Sequence, residues 1–337
     1  LKILMNNFRI SCLIAVIFLS LPINSSEFSV MSLNVDNLFD TIDDPGKDDK
    51  AYLPIEVKQS DKHKRSCNSI RVKSWKNECL YLDWDEDTKN SKLTNLVSSI
   101  ISYGQRGPDI LALQEVENMN ILNQLYKLLE PYGYTEIQLL EGNDYRGIDT
   151  ALISKFKSLD AQLHYITFTG EFENKDTRPI LDITLDVNGK KLKIYNVHFP
   201  SGFHDVSMRL DSLNVLQDLL KSHNYPSVAL GDFNVNTTED SKLDIYKSQE
   251  NVWSVAHING CDNCKGSYYY NYLERWEFLD SIFISKNRGI SYIVDSIGIH
   301  RTMDNAYEDT GKPRDFNPYT KNGVSDHLPV VAKIKIN

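Results

Sequence analysis

Six times in this chain a short apolar run stops abruptly on an acid, an amide or an imidazole. The six are Leu33-Asn34-Val35-Asp36, Leu113-Gln114-Glu115, Ile194-Tyr195-Asn196-Val197-His198, Leu230-Gly231-Asp232-Phe233-Asn234, Phe278-Leu279-Asp280 and Ser325-Asp326-His327, the last ahead of a final apolar run. Runs this short, bounded by turn-forming residues, read as strands and not as helices. Strands are predicted at 28–33, 109–113, 149–153, 164–168, 180–187, 192–198, 227–231, 278–284, 292–299 and 329–336. Helical spacing shows at three places. One starts near Ser91 (Leu93, Leu96, Val97, Ile100, Ile101), one runs from Ile121 to about Pro131, and one covers 205–221 (Leu213, Leu216, Leu220). Strands outnumber helices, and hairpin-like pairs such as the one turning at Gly189 mix with helical connections. That pattern predicts an α+β fold, with sheets packed face to face and helices outside.

No linker divides the 337 residues and no repeat recurs, so residues 26–337 are expected to form one domain. A chain of that length can bury roughly three quarters of its unfolded surface. Its 46 acidic and 37 basic side chains give a net charge of −9, which excludes a general basic coat for gripping nucleic acid. A nucleic-acid enzyme is not excluded, because a bound divalent metal supplies local positive charge.

Residues 1–25 read as an export signal. Lys2 and Arg9 precede the apolar stretch Cys12–Leu21, and small polar residues follow at Asn24-Ser25-Ser26. Removing Lys2 and Arg9 would take the charge from −9 to −11. No second stretch suits a membrane span, so a secreted or periplasmic, monomeric protein without stable membrane association is expected. Cys67, Cys79, Cys261 and Cys264 then remain, an even number that favours disulfides in an exported chain. Three pairings are open; Cys67–Cys79 and Cys261–Cys264 are the most local. A four-cysteine zinc site is the weaker alternative, because only Cys261 and Cys264 have ligand spacing.

Residues 43–91 read as a long loop, basic in the middle (Lys58, Lys62, Lys64, Arg65, Arg71, Lys73, Lys76) and acidic at the end (Asp83, Asp85, Glu86, Asp87). A loop so long is functional or inserted. It is expected to be solvated, with a phosphate-backbone contact as the sharper alternative. The segment Ser267-Tyr-Tyr-Tyr-Asn-Tyr272 offers rings for packing or, less favoured, for stacking on bases. No exposed apolar hairpin of the kind that dips into lipid is evident.

Singly, each polar strand end is an ordinary turn former. Together they supply hard oxygen donors for Mg²⁺, Mn²⁺ or Ca²⁺, two imidazoles and a spare acid, a set suited to phosphate esters. Residues two apart on a strand share a face, so Asn34 and Asp36 are expected to present their oxygens together.

In order and content these motifs resemble the endonuclease/exonuclease/phosphatase superfamily, with its deoxyribonuclease-I-like fold. Tyr145-Arg-Gly-Ile-Asp149 and Thr177-Arg178-Pro further resemble an exported bacterial branch. The resemblance implies a four-layer α/β-sandwich of two mixed sheets with the site at one edge. It implies metal ligands Glu115, Asn34, Asp36 and Asp326, with Mg²⁺ (or Mn²⁺ or Ca²⁺) as the cofactor. His327, oriented and made more basic by Asp280, would activate water, and Asp232 would position or deprotonate it. Asn234 and His198 would bind phosphoryl oxygens, and His198 could also protonate the leaving group. Tyr145, Arg178 and Asn196 would contact substrate, although for Arg178 a pair with a surface acid such as Asp176 is the favoured alternative; Asp149 would orient His198 or serve only as a strand-edge acid.

The leading functional expectation is therefore an exported metal-dependent phosphodiesterase, foremost a nuclease acting on DNA or RNA. A phosphomonoesterase or a lipid phosphodiesterase of the same fold is the alternative. A binding protein that merely keeps the fold would show a decayed constellation, and here every main position is filled.

Overall fold

The structure, a computed structural model, describes residues 25–337. The expected export signal over 1–25 lies outside the described residues, Ser25 apart. In chain order the elements are β1 (Ser26–Leu38), α1 (Asp61–Asn68), α2 (Lys73–Tyr81), α3 (Glu86–Ser102), β2 (Ile110–Val116), α4 (Met119–Leu129), β3 (Glu136–Leu139) and β4 (Asp149–Ser154). Then come β5 (Lys157–His164), β6 (Ile180–Val187), β7 (Lys190–His198), α5 (Val206–Lys221), β8 (Ser227–Asp232), α6 (Thr237–Leu243), α7 (Ile245–Gln249), β9 (Trp253–Val255) and α8 (Ala256–Asn259). The chain closes with β10 (Tyr268–Tyr270), β11 (Arg275–Glu277), β12 (Asp280–Ser285), β13 (Ile290–Tyr292), β14 (Gly298–Ile299) and β15 (Val330–Ile336).

One sheet runs β13-β15-β1-β2-β4-β3, with β14 on β15; the other runs β5-β6-β7-β8-β12-β9. Both are mixed: β1 is parallel to β2 and β7 to β8, and the other pairs are antiparallel. Successive strand residues point to opposite faces. Val30, Ile110, Ile194, Val228 and Ile282 therefore meet between the sheets. Met31, Leu33, Leu111 and Leu113 face α3 and α4 through Leu93, Leu96, Ile121 and Leu125. Tyr195, Val197, Ala229 and Phe283 face α5 through Leu213 and Leu216. These are the four layers, and the sandwich is α+β as expected.

The segment 43–91 is not a loop. Beyond two 3₁₀ turns it holds α1 and α2, and α3 starts at Glu86 instead of near Ser91. Its terminal acids are a helix start: the Asp85 side chain accepts from the Thr88 N–H, and Glu86 and Asp87 follow in the first turn, where the helix dipole favours negative charge. Ser60 caps α1 by accepting from His63 N–H. Lys58 is buried; its Nζ donates to the carbonyls of Ala51, Glu78 and Leu82, so it is not free for phosphate. Lys64 and Arg65 are exposed. Cys67–Cys79 and Cys261–Cys264 both lie at disulfide distance, which closes the zinc alternative.

Two strands differ from expectation. The edge strand is β5, not 164–168, because a bulge between Ser158 and Asp160 breaks its alternation. Ile166 and Phe168 instead pack in the α5 layer. The run 292–299 splits into β13 and β14. The Tyr-rich segment becomes the hairpin β10-β11, whose tip exposes Tyr272 and Leu273, so the expectation of no exposed apolar hairpin is corrected. Among the described residues no helix is long and apolar enough to cross a membrane.

Candidate active site

The polar strand ends gather at one edge of the sandwich. Asn34, Glu115, His198, Asp232, Asp326 and His327 line one cleft of about 970 Å³. Several of these ends leave the extended conformation: φ is +52° at Asp36, +60° at Asn37, +66° at Glu115 and +53° at Asn234. Positive φ is unusual for glutamate, and strain of this kind collects at functional sites. At Gly231 (φ +143°) an added Cβ would sit 2.0 Å from the Val197 carbonyl oxygen. Gly231→Ala is accordingly expected to cost about 3 kcal/mol or more in urea unfolding. An unchanged midpoint would show that β7 and β8 can part freely.

The break at Asp36 changes the expected pairing with Asn34. Asn34 Oδ1 accepts from the Asp36 N–H (3.0 Å), while its Nδ2 donates to Asp232 Oδ2 (3.2 Å) and Glu115 Oε1 (3.4 Å). The amide thus presents a donor that fixes two carboxylates. Asn34 stands beside Glu115 at the cleft, joined to that carboxylate and to Asp232. Glu115 Oε2 also accepts from the Asn37 N–H.

Asn196 is corrected as well. It is fully buried, accepting from Gln114 Nε2 and donating to the carbonyls of Leu113 and Ala151, so it ties β7 to the other sheet and does not line the cleft. Arg178 pairs with Asp144 (3.0 Å) and not with Asp176, and it donates to the carbonyls of His198 and Phe199. Its guanidinium lines the cleft while holding the end of β7. Asp149 accepts from the Gly142 N–H, and His198 Nδ1 has no partner, so Asp149 does not orient that ring. Tyr145 stands exposed at the cleft mouth.

His198 Nε2 lies 3.6 Å from Asp232 Oδ2 and 3.8 Å from Glu115 Oε1. Burial, with Arg178 and Arg146 adding to it, pulls its pKa well below the usual histidine value, so the ring is neutral. His327 is the opposite case. Its Nδ1 is 2.6 Å from Asp280 Oδ2, and Asp280, Asp326 and Asp232 overcome the burial penalty to hold it well above the usual value. Ser325 Oγ donates to the Asn34 carbonyl and accepts from the His327 N–H, fixing that strand end. Burial and Asp280 push Asp232 up to about 7. Asp232 Oδ1 accepts from the Asn234 N–H, and Asn234 Nδ2 donates to the Phe199 carbonyl.

Beside this group, Asp36, Glu115 and Asp326 face a single ammonium, Lys92, whose Nζ donates to the Asp36 carbonyl (2.5 Å). Burial raises both Asp36 and Asp326; Glu115 and Asp315 add to each, and Asp36 adds to Asp326. Oxygen donors carrying an excess of like charge fit a hard divalent cation. Lys92 was not singled out in the sequence. The signal was there, a lysine four positions before Leu96 on the apolar face of α3. Also missed were Arg146, which donates to Asn37 Oδ1, and Phe203, 97% exposed on the cleft wall. Tyr268 of the hairpin packs its ring on His327.

The sequence matches the family model described as "Endonuclease/Exonuclease/phosphatase family" over residues 79–336. Among solved structures, the chain is similar to an endonuclease/exonuclease/phosphatase family protein from Bacteroides thetaiotaomicron (17% identity, 93% of this chain and 99% of that one, TM-score 0.57). It is also similar to a mannosyl-6-phosphatase from the same organism (16%, 91% and 99%, TM-score 0.55). A third is D. rerio TDP2 complexed with single-strand DNA product (15%, 92% and 99%, TM-score 0.56). At these identities the likeness shows the fold alone. No curated protein matches the sequence.

Proposed function

The chain belongs to the endonuclease/exonuclease/phosphatase family, whose members are metal-dependent phosphoric ester hydrolases, and on that premise we propose that it is an exported phosphodiesterase cleaving nucleic acid. The observation that carries this reading is the cleft. It is lined by the neutral His198, by Asp232 and by His327, which the buried Asp280 backs, and it offers the exposed rings of Tyr145 and Phe203. Unpaired bases stack on such rings. The two cysteine pairs support export.

Glu115, Asp36 and Asp326 would hold the divalent cation, which when bound polarises a phosphoryl oxygen and favours hydroxide over water. The chain's own groups divide the remaining work. Asp232, poised near neutrality, takes the proton of the attacking water. His327, kept protonated by Asp280, offers its Nε2–H to the charge building on phosphorus, so it acts as a stabiliser and not as the base. His198, neutral, donates to a non-bridging oxygen, and its low pKa leaves little imidazolium to protonate the leaving group. Asn34 holds Glu115 and Asp232 at their separations.

The test is purified protein with Mg²⁺, Mn²⁺ or Ca²⁺, with and without EDTA, on supercoiled plasmid, single-stranded DNA, RNA, a sugar phosphomonoester and sphingomyelin. EDTA-sensitive cleavage of nucleic acid is expected. Turnover of the monoester alone would move the reading to a phosphatase. Turnover of sphingomyelin alone would move it to lipid, which the exposed Tyr272–Leu273 tip favours as the second reading.

A further inference from the structure

From His198 to His204 the chain passes from the end of β7 toward α5 along one wall of the cleft. Its carbonyls are held one after another. Arg178 donates to those of His198 and Phe199, and Asn234 Nδ2 donates to that of Phe199 as well. Beyond them a single side chain takes over. Arg209, on α5, is fully buried. Its Nη1 donates to the carbonyls of Pro200 (3.0 Å) and Ser201 (2.7 Å), and its Nη2 donates to that of His204 (3.2 Å). Its Nε and Nη2 also donate to the Glu239 carboxylate of α6. The five N–H donors of an arginine are thereby all committed. The turn itself closes where the His204 N–H donates to the Ser201 carbonyl (2.9 Å).

On this fixed turn stands Phe203, 97% exposed. A ring left wholly in water forgoes the burial that a phenylalanine otherwise gains. On a slack loop it could fold back onto the protein. Here the backbone on both sides is tied down, and the ring is held out in the wall of the cleft that His198, Asp232 and His327 line. Glu239 neutralises the buried guanidinium, so the wall gains rigidity and no charge. With a net charge of −9 the chain also lacks the broad basic surface that grips a duplex by its phosphates. Stacking is then the main source of affinity open to it. Bases within a duplex are already stacked on one another, so a ring on a rigid turn reaches only an unpaired base.

Given that the cleft cleaves nucleic acid, the reading on which this rests, we propose that Phe203 is the platform on which one unpaired base stacks. Single-stranded nucleic acid is then the preferred substrate over duplex. Arg209 is the positioning residue that keeps the platform in place, acting through the carbonyls of the turn and touching no substrate.

The test compares three DNA substrates of equal length: a single strand, the duplex of the same sequence, and a strand of tetrahydrofuran units that carries no bases. Wild type with Mg²⁺ is expected to cut the single strand with a kcat/KM at least about tenfold above the other two. Phe203→Ala should raise KM for the single strand about tenfold, the loss falling on KM and not on kcat, and both preferences should shrink together. Phe203→Trp, which restores a ring, should recover them. Arg209→Lys, with three donors in place of five, should shrink both preferences in the same way; Glu239→Gln takes its place if that variant does not fold. A guanidinium with a merely structural part would lower the unfolding temperature and leave the preferences as they are, which would overturn the role of Arg209. If wild type cuts the three substrates alike, or if Phe203→Ala keeps both preferences, the platform is overturned while the nuclease reading stands. If none of the three is cut, the nuclease reading falls and the platform with it.

Discussion

Asp232→Asn is expected to lower turnover by about a thousandfold, within the usual range for a general base, and to flatten the acid limb of the pH profile. Asparagine has the shape of aspartate and can still accept from the Asn234 N–H, so the fold should survive. What it cannot do is take a proton. Because burial and Asp280 push Asp232 up to about 7, wild-type activity should climb as pH rises through 7 and the carboxylate forms. Stability should move the other way. A carboxyl whose folded pKa lies above its unfolded value binds its proton more tightly in the native state, so its contribution is full below about 4 and is lost as pH rises toward 7. The variant should therefore show a flatter unfolding temperature across that window in EDTA. Turnover near wild type, or an unchanged acid limb, would assign the base to His327 instead.

Glu115→Ala should remove the response to metal. Expected are a turnover loss of at least about a thousandfold, which corresponds to about 4 kcal/mol of transition-state stabilisation, and a residual rate that no longer changes with EDTA. Three features make Glu115 the centre of the acidic group. It is held by Asn34 Nδ2 and by the Asn37 N–H, it faces His198, and its backbone sits at φ +66°. A variant that keeps its Mg²⁺ dependence at slightly raised concentrations would show that Asp36 and Asp326 suffice.

What the sequence discloses is the chemistry at the strand ends. Apolar runs such as Leu111–Leu113 and Val228–Leu230 are covered on both faces, so their strand nature and their abrupt polar stops are visible without tertiary knowledge. What it hides is conformation at single residues. Alternation predicts Asn34 and Asp36 presenting their oxygens together, but a positive φ breaks the extended run at Asp36, and Asn34 Oδ1 accepts from the Asp36 N–H. Asn196 shares its strand face with His198, yet it serves the core because Gln114 and two carbonyls of the other sheet lie opposite. The helices α1 and α2 escaped notice because their packing rests on Lys58, His63 and two cysteines, which make no apolar stripe. The Asp85–Thr88 cap, by contrast, was legible, but its acids were read as loop charge.

The pairing of β1 with β15 sets Ser26 opposite Ile336, and the cleft residues Asp326 and His327 immediately precede β15. Nearly the whole chain must be made before these two strands meet, and such distant contacts form slowly. A partly synthesised chain therefore lacks both His327 and the strand that would seat it. One edge of the cleft is therefore set in place only by a pairing between segments about three hundred residues apart, the longest-range contact that the site depends on.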